Sequence, residues 1–244
     1  MDHLIAHRGE PEHWPENSLA GFRAVLAAGS PYVETDIQFS ADGVPVLCHD
    51  ESLLRATGRD IQIAATPLVE IQAIPAGEPG RFGDRFGDER IPTLNEFGNL
   101  LAQWPAVRAF VELKAAGIGA IGVEAAVTAT TTALGPHAGQ CIVISFDYPV
   151  LEHVRNRHPL PIGWVLPEWS DANRTLADRL APEYLFVDHR RVPSTPQPLW
   201  PGPWRWVAYT VNARDEIERL LARGFDLVET NDIRRLMPAT HAPA

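Results

Sequence analysis

Residues 32–50 read YVETDIQFSADGVPVLCHD, and this stretch gives the clearest indication of the fold. Its first part, Tyr32–Phe39, is rich in β-branched and aromatic residues and predicts a strand. A turn sequence follows, after which Val44–Cys48 predicts a short extended piece. Because side chains alternate along a strand, Glu34 and Asp36 point to the same face. The stretch therefore predicts a strand that presents two carboxylates near its carboxyl end.

Strand-like and helix-like segments alternate on both sides of this stretch. Leaving out residues 44–48, eight strands are predicted, at His3–Ala6, Tyr32–Phe39, Arg108–Leu113, Cys141–Phe146, Ile162–Leu166, Tyr184–Val187, Trp206–Val211 and Asp226–Glu229. Helices are predicted at Asn17–Ala28, Leu94–Trp104, Ile118–Leu134, Val150–Arg157, Asp171–Leu180 and Arg214–Arg223. Eight strands with intervening helices match the α/β class and a TIM (β/α)₈ barrel. A doubly wound open sheet is the alternative, because periodicity does not distinguish a closed sheet from an open one.

Two stretches interrupt the alternation. Pro75–Pro92 is rich in glycine and charge and repeats the sequence RFGD, so we interpret it as a solvated loop in preference to a cap over the substrate. Pro193–Pro203 holds five prolines in eleven residues, which predicts a stiff loop in place of the sixth helix. Gly117–Gly122 matches a G-x-G-x-x-G pattern, but no acidic residue ends a following strand about 20 residues on, as dinucleotide binding requires. We interpret these glycines as a loop that enters the next helix.

Length, composition and charge restrict the class of protein. The chain has 244 residues, 45% of them hydrophobic, which is typical of one large globular domain, taken here as residues 1–244. Its formal net charge of −10 argues against a duplex nucleic-acid-binding protein. No apolar run approaches the roughly 18 residues that cross a bilayer, and the first residues lack the features of a signal peptide. We therefore expect a soluble, cytoplasmic protein without stable membrane insertion, in which Cys48 and Cys141 are buried thiols.

Polar clusters fall at or just past the carboxyl ends of the first three predicted strands and of the short extended piece. They are His7-Arg8, Glu34-Thr35-Asp36, His49-Asp50 and Glu112-Leu113-Lys114. In a barrel the carboxyl ends of the strands surround the mouth of the active site. Two unit charges about 4 Å apart repel by roughly 4 kcal/mol at an effective dielectric near 20, so a carboxylate cluster needs a cation or a proton. Carboxylate oxygens alone favour a hard ion, Mg²⁺ or Ca²⁺.

The remaining members of these clusters suit phosphoryl transfer from an ester. His7 and His49 can take up and return a proton at neutral pH. Arg8 and Lys114 supply fixed positive charge for an anionic group. As an alternative, Glu34 and Asp36 pair with Arg8 and Lys114 and hold no metal.

The motifs that carry these residues resemble the glycerophosphodiester phosphodiesterase family. The run Ile5–Thr57 is similar to its opening, with AHRG at 6–9, PENS at 15–18, ETDIQFSADGVPVLCHD at 34–50, and then Arg55. Its later motifs resemble RIPTL at 90–94, VELK at 111–114, Ser145-Phe146, TVN at 210–212 and Thr230-Asn231. The resemblance covers nearly the whole chain.

This resemblance implies a TIM barrel with a small insertion after the second strand, here about residues 51–90. It also implies a divalent cation, Mg²⁺ or Ca²⁺, on Glu34, Asp36 and Glu112. His7 and His49 correspond to the family's general acid/base pair, and Arg8 to its contact with the phosphate and transition state. One histidine would help the glycerol 2-hydroxyl attack phosphorus, and the other would protonate the leaving alcohol. Water would then open the cyclic phosphate to sn-glycerol 3-phosphate.

Substrate contacts are predicted for Arg8, Lys114, Phe146 and Tyr209. Tyr209 stands where the family usually has Trp, so the aromatic wall differs there in size and polarity. Glu16 and Asn17 are expected to fix the first loop, Arg55 to pack the insertion, and Asn231 to have no catalytic role.

Two alternatives to a glycerophosphodiesterase remain at this point. One is a lysophospholipase D or phosphoinositide phospholipase C-like enzyme on the same barrel. The other is a barrel that binds phosphodiesters without catalysis, against which the presence of both histidines counts. The oligomeric state and the preferred alcohol are left open by the sequence.

Overall fold

The structure is a computed structural model that describes residues 2–193 and 198–237. Within these ranges the strands are β1 (Leu4–His7), β2 (Tyr32–Phe39), β3 (Pro45–Leu47), β4 (Arg108–Leu113), β5 (Cys141–Ser145), β6 (Ile162–Val165), β7 (Tyr184–Asp188), β8 (Arg205–Tyr209) and β9 (Leu227–Thr230). The α-helices are α1 (Leu19–Ala27), α2 (Leu54–Thr57), α3 (Leu68–Gln72), α4 (Pro79–Phe82), α5 (Leu94–Leu101), α6 (Ala115–Ile121), α7 (Val123–Leu134), α8 (Tyr148–Arg157), α9 (Asp171–Leu180), α10 (Arg214–Arg223) and α11 (Ile233–Leu236). Short 3₁₀ helices lie at Ile63–Ala65, Gly135–Gln140 and His189–Arg191.

Eight of the strands form a closed parallel barrel, in the order β1-β2-β4-β5-β6-β7-β8-β9 and back to β1. The ring closes at β1, where Ile5 is paired with Tyr32 on one side and with Glu229 on the other. The remaining strand, β3, is antiparallel to β2 and lies outside the ring. The predicted TIM barrel is confirmed, and closure at β1 excludes the doubly wound sheet.

Alternation along the strands produces two apolar layers. One fills the barrel interior and consists of Ile5, Phe110, Ile142, Ile144, Val165, Phe186, Val207 and Leu227. The larger one lies between the outer face of the strands and the helices and includes Phe22, Val33, Ile37 and Phe97. Burying both faces removes most apolar surface from water and holds the strand ends in fixed positions around the mouth.

All eight predicted barrel strands are present, with ends that shift by at most two residues. The first helix begins later than predicted, at Leu19, because the Ser18 hydroxyl caps it by accepting from the Gly21 N–H at 3.1 Å. The prediction of one continuous helix over Ile118–Leu134 is wrong. The chain forms two helices that are broken at Gly122, where φ is 88°. The interpretation of Gly117–Gly122 as a loop is also wrong, since residues 115–121 form α6.

Residues between β3 and α5 contain three short helices that the sequence did not predict, α2 to α4. They enclose an apolar cluster of their own, which includes Leu53, Ile63 and Ile71. The interpretation of Pro75–Pro92 as a solvated loop is wrong in part. Phe86 is buried, with its ring centroid 5.3 Å from that of Trp14, and Glu78 is also buried. The bounds of the insertion, about 51–90, and of a single domain over the whole chain stay predictions.

The proline-rich stretch is described only in part, because residues 194–197 lie outside the described residues. From Pro198 to Pro203 the structure has no helix, in line with the predicted loop. Here Trp200 packs on Trp169, with ring centroids 4.0 Å apart, and this contact covers the barrel wall where a helix is missing.

Both cysteines are free and buried, as predicted, and burial raises the pKa of each thiol to about 12. In the described ranges no single helix has the length and apolarity needed to cross a bilayer. A bent pair, 115–121 with 123–140, meets the requirement only when joined across a 109° bend.

Candidate active site

The first strands of the barrel bring the predicted carboxylates together at the mouth. In the pairing of β1 with β2, His7 is opposite Glu34, and in the pairing of β2 with β4, Asp36 is opposite Glu112. One oxygen from each of Glu34, Asp36 and Glu112 lies within 4.8 Å of the others. All three side chains are buried. Residues 34 and 112, far apart in the chain, thus belong to one carboxylate cluster.

Two cations neutralise part of this cluster. Arg8 Nε lies 2.9 Å from Asp36 Oδ2, and Lys114 Nζ lies 3.3 Å from Asp36 Oδ1 and 3.0 Å from Glu112 Oε1. Burial raises the pKa of Asp36, but Arg8 and Lys114 outweigh it and hold that pKa below the usual range. The ion pairs of the metal-free alternative are thus present for Asp36, and Glu112 has one as well. They are not formed by Glu34, which has neither Arg8 nor Lys114 as an ion-pair partner.

The other two carboxylates of the cluster remain short of positive charge. Burial and repulsion from Asp36 raise the pKa of Glu112 to about 7, and the same two causes raise the pKa of Glu34 well above its usual range. A divalent cation among the three would offset this repulsion. Three carboxylates with facing oxygens are a donor set that fits Mg²⁺ or Ca²⁺. The residues present are therefore suited to a hard divalent ion.

His7 is held by a residue at the far end of the chain. Its Nδ1 lies 2.7 Å from Asn231 Oδ1, and because that amide oxygen only accepts, Nδ1 carries the proton and Nε2 is left as the acceptor. Nε2 lies 3.8 Å from Glu34 Oε2. Burial and the neighbouring Arg8 lower the pKa of His7 to about 4. His7 is thus a neutral imidazole with a free basic nitrogen at the mouth.

His49 is held by a carboxylate instead. Its Nδ1 lies 2.7 Å from Asp50 Oδ1, and Asp50 Oδ2 accepts from Arg55 Nε at 2.8 Å. Arg55 also donates to Glu16 Oε1 at 2.6 Å, and the second oxygen of Glu16 accepts from Arg8 at 3.3 Å. The prediction that Arg55 only packs the insertion is too narrow, because it ties His49-Asp50 to the first loop.

Asn17, expected only to fix the first loop, also supports the carboxylate cluster. Its Nδ2 donates to Asp36 Oδ2 at 3.1 Å, and its Oδ1 accepts from the Thr35 hydroxyl at 2.8 Å. The backbone of Asn17 has a φ of 56°, a conformation that Asn adopts more readily than most residues. The loop conformation therefore aims this amide at the second strand.

A cavity of about 180 Å³ opens between these groups, and we call it the mouth pocket. All the predicted site residues except Asp36 line it: His7, Arg8, Glu34, His49, Glu112, Lys114, Phe146 and Tyr209. Asp36 is fully buried behind the wall, and Phe146 is 40% exposed at the rim. The structure thus brings all nine predicted residues to one place.

Glu229, which the sequence did not single out, also lines the mouth pocket. It is 4% exposed, and burial and repulsion from Glu112 raise its pKa to about 8. The available signal was strand alternation, because Leu227 faces the barrel interior and Glu229 follows two positions later. The sequence also missed the contact of Asn231 with His7.

A second, more open cavity of about 860 Å³ adjoins the mouth pocket, and we call it the outer groove. His49 and Lys114 line both cavities. The rest of the outer groove includes Asp50, Glu51, Ser52, Leu54, Arg55 and Asp60. A ligand whose reacting group sits at the mouth can therefore extend past His49 towards solvent.

The chain is similar to one family of known proteins over nearly its whole length. The sequence profile of the glycerophosphoryl diester phosphodiesterase family matches residues 7–235. A glycerophosphodiester phosphodiesterase of Caldanaerobacter subterraneus subsp. tengcongensis is 28% identical over 240 residues, which span 96% of each chain. The human glycerophosphodiester phosphodiesterase 1 is 39% identical over 92 residues, which are 38% of this chain and 28% of that protein.

Solved structures show the same barrel. A phosphodiesterase of Oleispira antarctica, solved in complex with the product sn-glycerol-3-phosphate, superposes with a TM-score of 0.84 and 26% identity, over 96% of this chain and 94% of that one. A glycerophosphodiester phosphodiesterase of Agrobacterium tumefaciens has a TM-score of 0.73 at 22% identity, over 95% and 97% of the two chains. At 22% identity, the similarity to the Agrobacterium tumefaciens protein concerns the fold alone.

Proposed function

We propose that this chain, which belongs to the glycerophosphoryl diester phosphodiesterase family, hydrolyses glycerophosphodiesters to an alcohol and sn-glycerol 3-phosphate in a reaction that depends on a divalent cation. The observation that carries the proposal is the mouth pocket, where two histidines, two cations and a carboxylate cluster converge. The reaction assigned to the Oleispira antarctica relative, with sn-glycerol-3-phosphate as product, is consistent with it.

In this proposal His7 is the general base. Its Nε2 is unprotonated at neutral pH because Asn231 holds the proton on Nδ1 and because burial and Arg8 lower the pKa of the ring. A glycerol 2-hydroxyl beside Glu34 could give its proton to Nε2 while its oxygen attacks phosphorus. The oxygen then forms the new P–O bond of a cyclic phosphate as the bond to the alcohol breaks.

His49 is the general acid. It lines both the mouth pocket and the outer groove, so it lies beside the path of the departing alcohol. The Asp50 carboxylate at Nδ1 orients the ring, and the imidazolium form supplies the proton that the alkoxide needs. In the second step the roles reverse, and water opens the cyclic phosphate.

Arg8 and Lys114 bind the phosphate. Both are at the wall of the mouth pocket, and both already face Asp36, so they are positioned before the substrate enters. Glu34, Asp36 and Glu112 would hold the cation, Mg²⁺ or Ca²⁺. When bound, the ion neutralises phosphate charge and lowers the pKa of a hydroxyl that it contacts. Phe146 and Tyr209 give the pocket its aromatic surface.

The proposal is tested by a turnover screen of glycerophosphocholine, glycerophosphoethanolamine, glycerophosphoinositol and lysophosphatidylcholine, with release of glycerol 3-phosphate as the readout for the first three and release of choline for the last. We expect glycerol 3-phosphate from the first three. Turnover of lysophosphatidylcholine alone would support the lysophospholipase D alternative, and binding without turnover of any of them would support a non-catalytic barrel. A cytoplasmic location stays a prediction.

A further inference from the structure

Glu229 is a buried carboxyl group that the mechanism above does not use. It faces the mouth pocket and is 4% exposed. Among the residues that the structure describes, its side chain has neither a hydrogen bond nor an ion pair. The other carboxylates of the pocket do have partners: Asp36 pairs with Arg8, Glu112 pairs with Lys114, and Glu34 accepts from the Arg8 backbone N–H at 3.3 Å. The oxygens of Glu229 are not among the unpartnered side-chain atoms that are closed off from solvent, and Glu229 lines the pocket, so they are open to a ligand there.

The strand register places Glu229 at the floor of the pocket. Within the sheet, Glu229 on β9 is paired with Ile5 on the neighbouring strand β1. Ile5 lies one inward-facing position below His7. On the other side of Glu229, β8 pairs Val207 with Leu227, so Tyr209 and Glu229 follow at the same level. Glu229 thus lies one inward-facing position below His7 and at the level of Tyr209.

A cation and a phosphate are both poor partners for this position. Glu229 is not among the carboxylates whose oxygens lie within 4.8 Å of one another, so it is outside the proposed ligand set. A phosphate is drawn to the positive charges of Arg8 and Lys114, which face Asp36, and Glu229 offers no such charge. A hydroxyl both donates and accepts hydrogen bonds, so it fits a carboxyl group in either protonation state.

We infer that Glu229 is a specificity-determining residue that binds the terminal hydroxyl of the glycerol moiety at the floor of the mouth pocket. The inference rests on the proposed function. When the glycerol 2-hydroxyl lies at His7 Nε2, carbon 1 of the glycerol carries the terminal hydroxyl away from phosphorus. The leaving alcohol of the substrate occupies the open side of the pocket, so the terminal hydroxyl points to the floor. The cavity of about 180 Å³ is smaller than the roughly 300–1,000 Å³ of a drug-sized site, which suits the three-carbon end of the substrate.

The test compares two substrates in two proteins. The substrates are sn-glycero-3-phosphocholine and its 1-deoxy analogue, a propane-1,2-diol phosphocholine that keeps the 2-hydroxyl. For the wild type we expect kcat/KM about 10- to 100-fold lower on the analogue, since a hydrogen bond to a buried carboxyl group is lost. Glu229→Ala should lower kcat/KM on the natural substrate by a similar factor, mainly through KM, and should no longer distinguish the two substrates.

Glu229→Gln keeps one acceptor oxygen and should retain more of the discrimination than Glu229→Ala. This variant also keeps the experiment valid if Glu229→Ala does not fold. The matched control is Glu218→Gln, on the exposed face of α10, which should behave as the wild type. The inference is overturned if the active wild type does not discriminate, if a folded Glu229→Ala discriminates as fully as the wild type, or if Glu229→Gln retains no more discrimination than a folded Glu229→Ala. Absence of glycerol 3-phosphate release by the wild type would instead overturn the proposed function.

Discussion

At the scale of single residues, the two histidines of the mouth pocket differ in the group that holds Nδ1. His7 has the neutral amide of Asn231 at Nδ1, and burial together with the neighbouring cation Arg8 lowers the pKa of its ring. His49 has the Asp50 carboxylate, which Arg55 in turn orients. Similar side chains are thereby suited to opposite proton-transfer roles, because their surroundings differ.

We expect His7→Ala and His49→Ala each to lower kcat by roughly 10²–10⁴-fold, since each removes a group that transfers a proton in the transition state. Steady-state release of glycerol 3-phosphate measures the effect, and circular dichroism checks that the fold is kept. His153→Ala on α8 is the control and should leave kcat unchanged. Near-normal turnover in either mouth variant would contradict the acid/base assignment.

Asn231 is expected to position His7. Asn231→Leu removes the hydrogen bond at Nδ1 and should lower kcat by about 10- to 100-fold. Asn231→Asp places a carboxylate there, which favours the imidazolium and raises the pKa of His7. Because the neutral ring is the active form, activity is lost as pH falls through this pKa. The acid limb of the kcat/KM profile should therefore move to higher pH in Asn231→Asp, and an unchanged limb would argue against this role.

At the scale of elements, the break between α6 and α7 is set by one residue. Gly122 has φ 88° and ψ 155°, a conformation that is essentially restricted to glycine. Apart from its two chain neighbours, no atom of the described residues lies within 4 Å of the position that a Cβ would take, so an added methyl group meets no packed neighbour there. The break is therefore a matter of backbone conformation and not of side-chain packing.

Gly122→Ala should lower the free energy of unfolding by about 1–3 kcal/mol, the cost of a strained backbone conformation. Gly119→Ala is the matched comparison, because Gly119 lies in α6 with no atom within 4 Å of its Cβ position and with no positive φ. That substitution should raise the free energy of unfolding by about 0.4–1 kcal/mol. Urea denaturation of both variants measures the two changes, and equal effects of the same sign would show the explanation to be incorrect.

At the scale of the whole molecule, barrel closure produces the carboxylate cluster. Glu34 and Asp36 come from β2, and Glu112 comes from β4 after the insertion and α5. Burial and mutual repulsion raise the pKa of Glu34 and Glu112, so the fold concentrates negative charge that only a bound cation or protons can relieve. Binding of the proposed cation to this cluster would therefore add to the folding stability.

Exhaustive chelation with EDTA should abolish hydrolysis, and added Ca²⁺ or Mg²⁺ should restore it. The same ions should raise the melting temperature of the chelated protein, because they bind the folded carboxylate cluster and not the unfolded chain. Glu112→Gln should weaken both effects. Full activity in chelated protein would exclude a metal-dependent reaction.

Much of this architecture follows from local sequence patterns. The positions of the barrel strands were predictable because both faces of each strand are buried and the strand is therefore mostly apolar. The positions of the polar clusters were predictable because these clusters directly follow the apolar residues at the strand ends. The helices α2 to α4 were not predicted, since segments of four or five residues carry too little periodicity. The burial of Phe86 in a charged, glycine-rich loop likewise depends on a distant partner, Trp14.

The sequence alone determined most of the residues that we propose for the chemistry, because histidine, arginine and carboxylate side chains recur together at the predicted strand ends. Only the tertiary structure decided their partners. Asn231 meets His7 across 224 positions, and Glu229 enters the pocket because β9 closes the ring on β1. The alternation along a strand predicts which face of the sheet a side chain points to. Which other residues share that face depends on how the strands are paired when the barrel closes.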